Sequence, residues 1–211
     1  RGILGRAAAE EASARGALTA LLDIHAPDKD AAELSFAVDL GDPAAVSAVM
    51  SAIRERAGRI DALLNIAGGF VWKTVEQGDI ADWQRMFALN VGTALNASKA
   101  AAPHLIESGG AIVNVGANAA IKAGAGMGAY TASKMGVMKL TESMAEELKG
   151  QVRVNAVLPS IIDTPQNRKD MPNVDPETWV KPRDLAKVML FLASEEAHAV
   201  TGALLPVTAR V

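Results

Sequence analysis

Short apolar runs alternate along the chain with stretches of helical periodicity. The runs at residues 17–23 (ALTALLD), 33–39 (ELSFAVD), 60–67, 111–115, 152–158 and 203–207 read as strands. Between them, residues 6–15 read as a helix closed by Gly16. Residues 42–57 read as another, with Asp42 as N-cap and Pro43 at the first helical position. In that segment Val46, Val49, Met50 and Ile53 recur at the spacing of one helix face. Residues 79–107 predict a long helix bent near Pro103, residues 128–149 a second long helix, and residues 182–193 a last one.

Continuous apolar strands separated by helices are the pattern of a parallel sheet covered on both faces. The right-handed crossovers that this order requires give an α/β fold with a single doubly wound parallel sheet, Rossmann-like. A length of 211 residues suits one domain spanning 1–211. A βαβ unit begins on a strand, yet the first element here is a helix. A central strand is therefore expected ahead of Arg1.

Three groups of residues carry chemistry. Gly2 and Gly5 flank a helix start, where bare backbone lets a phosphate approach N–H groups and the positive end of the helix dipole. Asp23 closes the next strand, 18 residues beyond Gly5. That is close to the spacing of a carboxylate binding an adenosine ribose, and its charge favours NAD(H) over NADP(H). An ordinary helix cap and strand-end Asp would look the same. Second, Asn65-Ile66-Ala67-Gly68-Gly69 puts small residues at a strand end, where ligands enter parallel sheets, or simply makes a glycine turn. Third, Tyr130 and Lys134 stand at i and i+4 on one helix face, and Tyr130 is the only tyrosine in the chain. A free phenol has a pKa of ~10, and a neighbouring ammonium is expected to pull it down toward a useful acid–base range. The competing reading is a surface Tyr beside a solvated Lys.

Composition narrows the function classes. A net charge of −3 supplies no basic surface for nucleic acid or anionic membrane, and no apolar run reaches the ~18–20 residues of a membrane span. The absence of Cys excludes disulfides, thiolate metal sites and thiol catalysis, and the three His show no zinc spacing, so no metal is expected. A cytoplasmic location is expected.

Taken in order, the glycine loop, the acidic strand end, Asp39-Leu40, Asn65-x-Ala67-Gly68, Asn90, Tyr130-x-x-x-Lys134, Pro159 and Thr164-Pro165 resemble the short-chain dehydrogenase/reductase family over nearly the whole chain. The resemblance implies hydride transfer between a nicotinamide and a small carbonyl, imine or alcohol. It implies Tyr130 as proton donor, Lys134 as ribose ligand, and Asn90 as holder of a water in the proton relay. It also implies cofactor contacts at Gly2, Gly5, Asp23, Asp39, Leu40, Asn65, Ala67, Gly68, Tyr130, Lys134, Ile162 and Thr164. The family usually has a Ser 13 residues before the Tyr, and this chain has Ala117 there. Losing such a donor typically costs ~10²–10³ in rate. The stretches Ala67-Gly68-Gly69-Phe70, Gly116-Ala117-x-Ala119-Ala120 and Asp163-Thr164-Pro165-x-Asn167-Arg168 are similar to the quinonoid dihydropteridine reductase branch, which also lacks the Ser; Asn90 follows the general family instead.

Phe70 and Trp72 read either as a stacking wall for a flat substrate or as loop packing. Asn118 reads as a replacement donor or an exposed loop Asn, and Arg168-Lys169 as an anion clamp or a solvated face. The long helices carry more Ala, Met and Leu than one sheet face needs. With the family's four-helix contact across a two-fold axis, this implies a homodimer or homotetramer. A different class remains open: a non-catalytic dinucleotide-binding sensor or scaffold that lost its chemistry with the Ser at Ala117.

Overall fold

The computed structural model describes residues 2–25 and 34–209. Its elements alternate as expected: α1 (Ile3–Ala14), β1 (Ala20–Asp23), β2 (Leu34–Ala37), α2 (Pro43–Ala57), β3 (Ala62–Asn65), α3 (Ile80–Phe87), α4 (Thr93–Ser108), β4 (Ala111–Val115), α5 (Gly128–Glu147), β5 (Arg153–Pro159), α6 (Pro165–Asp170), α7 (Pro182–Ala193) and β6 (Leu204–Val207). Every strand pair is parallel. The expected start of the second strand at Glu33 lies outside the described residues.

The α/β fold is Rossmann-like, but its strands form two sheets, β1-β2 and β3-β4-β5-β6, where a single sheet was expected. The cause is a gap: among the described residues no strand lies between β1 and β3. A cavity of about 580 Å³ occupies that space, with Leu22, Leu34, Met50, Leu63 and Ala97 in its wall. The chain runs outward from the gap in both directions, which makes it the topological switch point where such folds bind ligands.

Alternating side chains of β4 and β5 feed two cores. Ile112 and Val154 pack with Val46, Met50, Ile53, Ala101 and Leu105 under α2 and α4. Val113, Val115 and Val157 face Leu4, Leu185, Met189 and Leu192 of α1 and α7 on the other side. All of β4 is buried, as a central parallel strand must be. At α2, Asp42 accepts bonds from the Ala44 and Ala45 N–H groups and Gly58 closes the helix in the left-handed region.

Two local expectations change. The helix begins at Ile3, so Gly5 lies inside the first turn of α1 and Gly2 is its N-cap. The long helix of residues 79–107 departs from α geometry at a π-helical turn over Ala88–Gly92, while Pro103 lies inside α4. The turn is anchored by the bonds of Asn90 described below; a π-turn inside a helix commonly marks a functional site.

Candidate active site

The candidate residues gather at the carboxyl ends of β3, β4 and β5 and at the amino end of α5. Asn90, buried on the π-turn, accepts a bond from the Gly69 N–H (3.0 Å) and donates to the Gly69 carbonyl (3.1 Å) and to Ser133 Oγ (2.9 Å). Ser133 Oγ donates onward to the Tyr130 carbonyl (2.7 Å). The loop after β3, the π-turn and α5 are thus tied by one chain of polar groups. No spacing rule singles out Ser133; its role follows only from the meeting of α5 with the π-turn.

Gly68 has no room for a side chain. A Cβ there would stand 2.4 Å from Asn90 Oδ1 and 3.3 Å from Lys134 Nζ. Gly68→Ala is expected to disrupt the Asn90 bonds, lowering turnover by at least tenfold and the melting temperature by several degrees; a melt and steady-state kinetics on the same preparation check both.

Lys134 is buried, and its ammonium donates to the carbonyl of Val115 at the end of β4 (2.8 Å). Burial pulls its pKa down to about 8. Burial likewise pushes the Tyr130 phenol up to about 12. This corrects the expectation that Lys134 would lower the phenol. In this structure desolvation outweighs the ammonium, whose bond goes to Val115. Tyr130 packs against the buried cluster of Ala117, Ala120, Met138, Ala156 and Leu158, and Phe70 meets its ring edge-on with centroids 4.9 Å apart. Ala117 is buried, so no hydroxyl takes the place of the usual Ser there.

The other candidate residues divide. Gly5, Leu40, Asn65 and Ala67 line the cavity at the switch point. A Cβ on Gly2 or Gly5 would meet nothing within 4 Å, so the open backbone at the start of α1 leaves space for a phosphate. Asp23 ends β1 and accepts bonds from the His25 N–H and ring Nδ1 (3.0 Å each), and the first of these holds its carboxyl below the usual range. Asp39 is exposed and accepts from the Gly41 N–H, while the Leu40 carbonyl accepts from Asn96.

The Asn65 amide donates to Ser98 Oγ and Asn114 Oδ1 (2.8 Å each), and Asn114 donates to Thr141. It cross-braces β3, β4, α4 and α5. Thr164 caps α6 by accepting from the Asn167 N–H, and Asn167 donates to the Ile162 carbonyl. Arg168 forms an ion pair with Asp163, which Lys181 also contacts, holding that carboxyl far below its ordinary range. The pair accounts for Arg168 without an anionic ligand. Among the described residues no cluster could hold a metal ion, and no helix is long and apolar enough to cross a membrane.

The structure is a parallel α/β fold with a glycine-flanked helix start at its switch point and a Tyr–Lys pair on α5. Comparison with known proteins places it. The family described as enoyl-(acyl carrier protein) reductase matches residues 1–209. Meso-2,3-butanediol dehydrogenase of Serratia marcescens is 37% identical over 97% of this chain and 88% of its own length. The ligand-free aldohexose dehydrogenase of Thermoplasma acidophilum superposes with a TM-score of 0.89 at 31% identity, over 98% of this chain and 89% of its own. Carveol dehydrogenase from Mycobacterium avium, solved in complex with NAD, gives 0.87 at 28% identity, over 99% and 93%. The chain belongs to the short-chain dehydrogenase/reductase family and is an oxidoreductase.

Proposed function

We propose that the protein uses NAD(H), in preference to NADP(H), to transfer hydride to or from a small carbonyl compound, alcohol or conjugated imine. The observation that carries this reading is the Tyr130–Lys134 pair, joined to the loop after β3 through Ser133 and Asn90. Gly2 and Gly5 receive the pyrophosphate, and Asp23 the adenosine ribose, where its charge repels a 2′-phosphate. Asp39, Leu40, Ala67, Gly68 and the backbone of Asn65 border the adenosine and the adjoining ribose, and Ile162 and Thr164 the nicotinamide. The bound dinucleotide supplies a hydride and, once oxidised, a positive ring near the phenol.

In reduction Tyr130 gives its proton to the substrate oxygen or nitrogen as the hydride reaches the adjacent carbon, and regains it from solvent; oxidation runs the same steps backwards. Lys134, whose ammonium lies at the end of β4, would hold the ribose hydroxyls of the bound dinucleotide. With Ala117 in the usual Ser position, Tyr130 stabilises the developing charge without that hydroxyl, and a conjugated acceptor such as a quinonoid dihydropterin asks least of the missing donor. Retention of Tyr130, Lys134 and Asn90 favours this reading over a non-catalytic dinucleotide sensor or scaffold.

The test is turnover with NADH and NADPH on a panel of ketones, diketones, quinones and quinonoid pterin. NADH-dependent reduction of at least one class is expected. Binding of dinucleotide without turnover of any would favour the sensor, and tighter NADPH than NADH would overturn the role of Asp23.

The same reading makes the protein a homodimer or homotetramer. Ile80, Trp83, Phe87 and Leu95 are exposed along α3 and α4, and a groove of about 370 Å³ lined by Trp83, Phe87, Ala129 and Ala132 runs between α3 and α5. Light scattering at micromolar concentration is expected to give at least twice the chain mass.

A further inference from the structure

The chain is poor in aromatic residues, at 4%, yet the loop after β3 exposes two rings, one of them against the reacting phenol. Phe70 follows the Asn65–Gly69 loop and is 59% exposed while its edge meets the Tyr130 ring. Trp72, two residues on, is 54% exposed and lies against Gly126 in the loop that leads into α5. That seat is built for it. A Cβ on Gly126 would stand 2.3 Å from Trp72 Cε2, the Gly126 backbone has a φ of +75°, and the Lys73 N–H donates to the Gly126 carbonyl (2.9 Å). The loop after β3 is thereby joined to the loop that leads into α5, with both of its aromatic rings exposed to solvent. A lone exposed aromatic is ordinary. Two rings fixed on joined loops next to a proton donor are a surface for a ligand.

The surroundings give the ligand's character. Ala117 offers no hydrogen bond, and Ala120 beside it is apolar. On the wall's own loop Lys73 is paired with Asp82 at 2.7 Å, and Glu76 is exposed.

We propose that Phe70 and Trp72 form the wall that binds the hydride acceptor and fix its class as a molecule carrying a flat aromatic ring next to the reacting group. The inference rests on the oxidoreductase reading above and narrows its substrate. A flat ring can lie across Phe70 and Trp72 in offset or edge-on contact, while a saturated ring of the same size loses the aromatic part of that contact and keeps only the apolar part.

The test compares acetophenone with cyclohexyl methyl ketone, which share a skeleton and differ in the ring. Binding of each to the enzyme with NAD⁺ is measured by titration calorimetry, and turnover of each with NADH is measured separately. Acetophenone is expected to bind about three- to tenfold tighter. Phe70→Leu keeps apolar bulk and removes the ring; it should bring the two ketones near parity, and Trp72→Leu should narrow the gap. If Phe70 only packed its loop, the variant would weaken both ketones equally and leave their ratio unchanged, which overturns the inference. Parity in the parent enzyme, or no binding of acetophenone, also overturns it. An aryl preference in binding with no NADH turnover of either ketone would support the wall and count against the catalytic reading alone.

Discussion

Tyr130→Phe is expected to lower turnover by about 10²–10⁴-fold, the usual worth of a general acid–base group, while dinucleotide binding stays nearly unchanged. The ring keeps its contact with Phe70 and its packing against the buried cluster beneath it. Among the described residues the phenol oxygen has no recorded hydrogen-bond partner, so its removal strands no buried group and the melting temperature should hold. Kinetics, a dinucleotide titration and a melt on the same variant separate lost chemistry from lost structure. The parent also offers a direct optical readout, because its only tyrosine is the proposed acid. Ultraviolet titration without cofactor should show that phenol ionising near the value of about 12 that burial imposes. Between the ordinary value near 10 and about 12 the native state keeps a proton that the unfolded chain releases, so stability should fall as pH rises through that window.

Lys134→Met is expected to remove dinucleotide affinity and turnover together, yet to stabilise the fold. Burial lowers the lysine from 10.5 to about 8, and each unit is about 1.36 kcal/mol, so keeping the ammonium buried at neutral pH costs on the order of 3 kcal/mol. Leaving the Val115 carbonyl without its donor returns about 1 kcal/mol or more of that. A net gain of about 1–2 kcal/mol should appear as a higher melting temperature at pH 7. The sign of the pH effect follows from proton counts. Between about pH 8 and 10, below the window in which Tyr130 acts, the unfolded chain holds a proton the native state has lost, so the parent's stability should rise with pH there relative to the variant's. If the ammonium holds the ribose, the parent's dinucleotide affinity should fall as pH rises through about 8. A Lys134→Met variant that melts lower and binds dinucleotide normally would remove the lysine from the account.

What the sequence made legible follows physical locality. Asp42-Pro43 and the spacing of Val46, Met50 and Ile53 define α2 because caps and helix faces are written in adjacent residues. Residues 111–115 and 182–193 match β4 and α7 for the same reason. Strands at the sheet margins come out shorter than their apolar runs: β1 begins at Ala20 although the run begins at Ala17, because ladder pairing with β2 sets the limit and apolarity does not. The π-turn at Ala88–Gly92 is a change of hydrogen-bond register with no composition of its own, so attention fell on Pro103.

In the site, Asn90 is legible only through the family resemblance, and Tyr130 and Lys134 through an i, i+4 spacing that carries chemistry. The direction of the Tyr130 shift is not, because it depends on how deeply the ring is buried and on where the Lys134 ammonium points. Asn65 shows the same limit. An amide at a strand end reads as a ligand contact until Ser98 and Asn114, distant in the chain, are seen to accept its bonds.

The central claim is that this fold moves a hydride from bound NADH while Tyr130 supplies the proton. The most direct measurement follows deuterium from NADH labelled at the transferable position into the reduced product of an aryl ketone or quinonoid pterin, by mass spectrometry, for the parent and Tyr130→Phe. The account predicts one deuterium per product molecule with the parent and at most about a hundredth of that yield with the variant in the same time. Equal labelling by both proteins, or NADH binding with no labelled product from any acceptor, would contradict it.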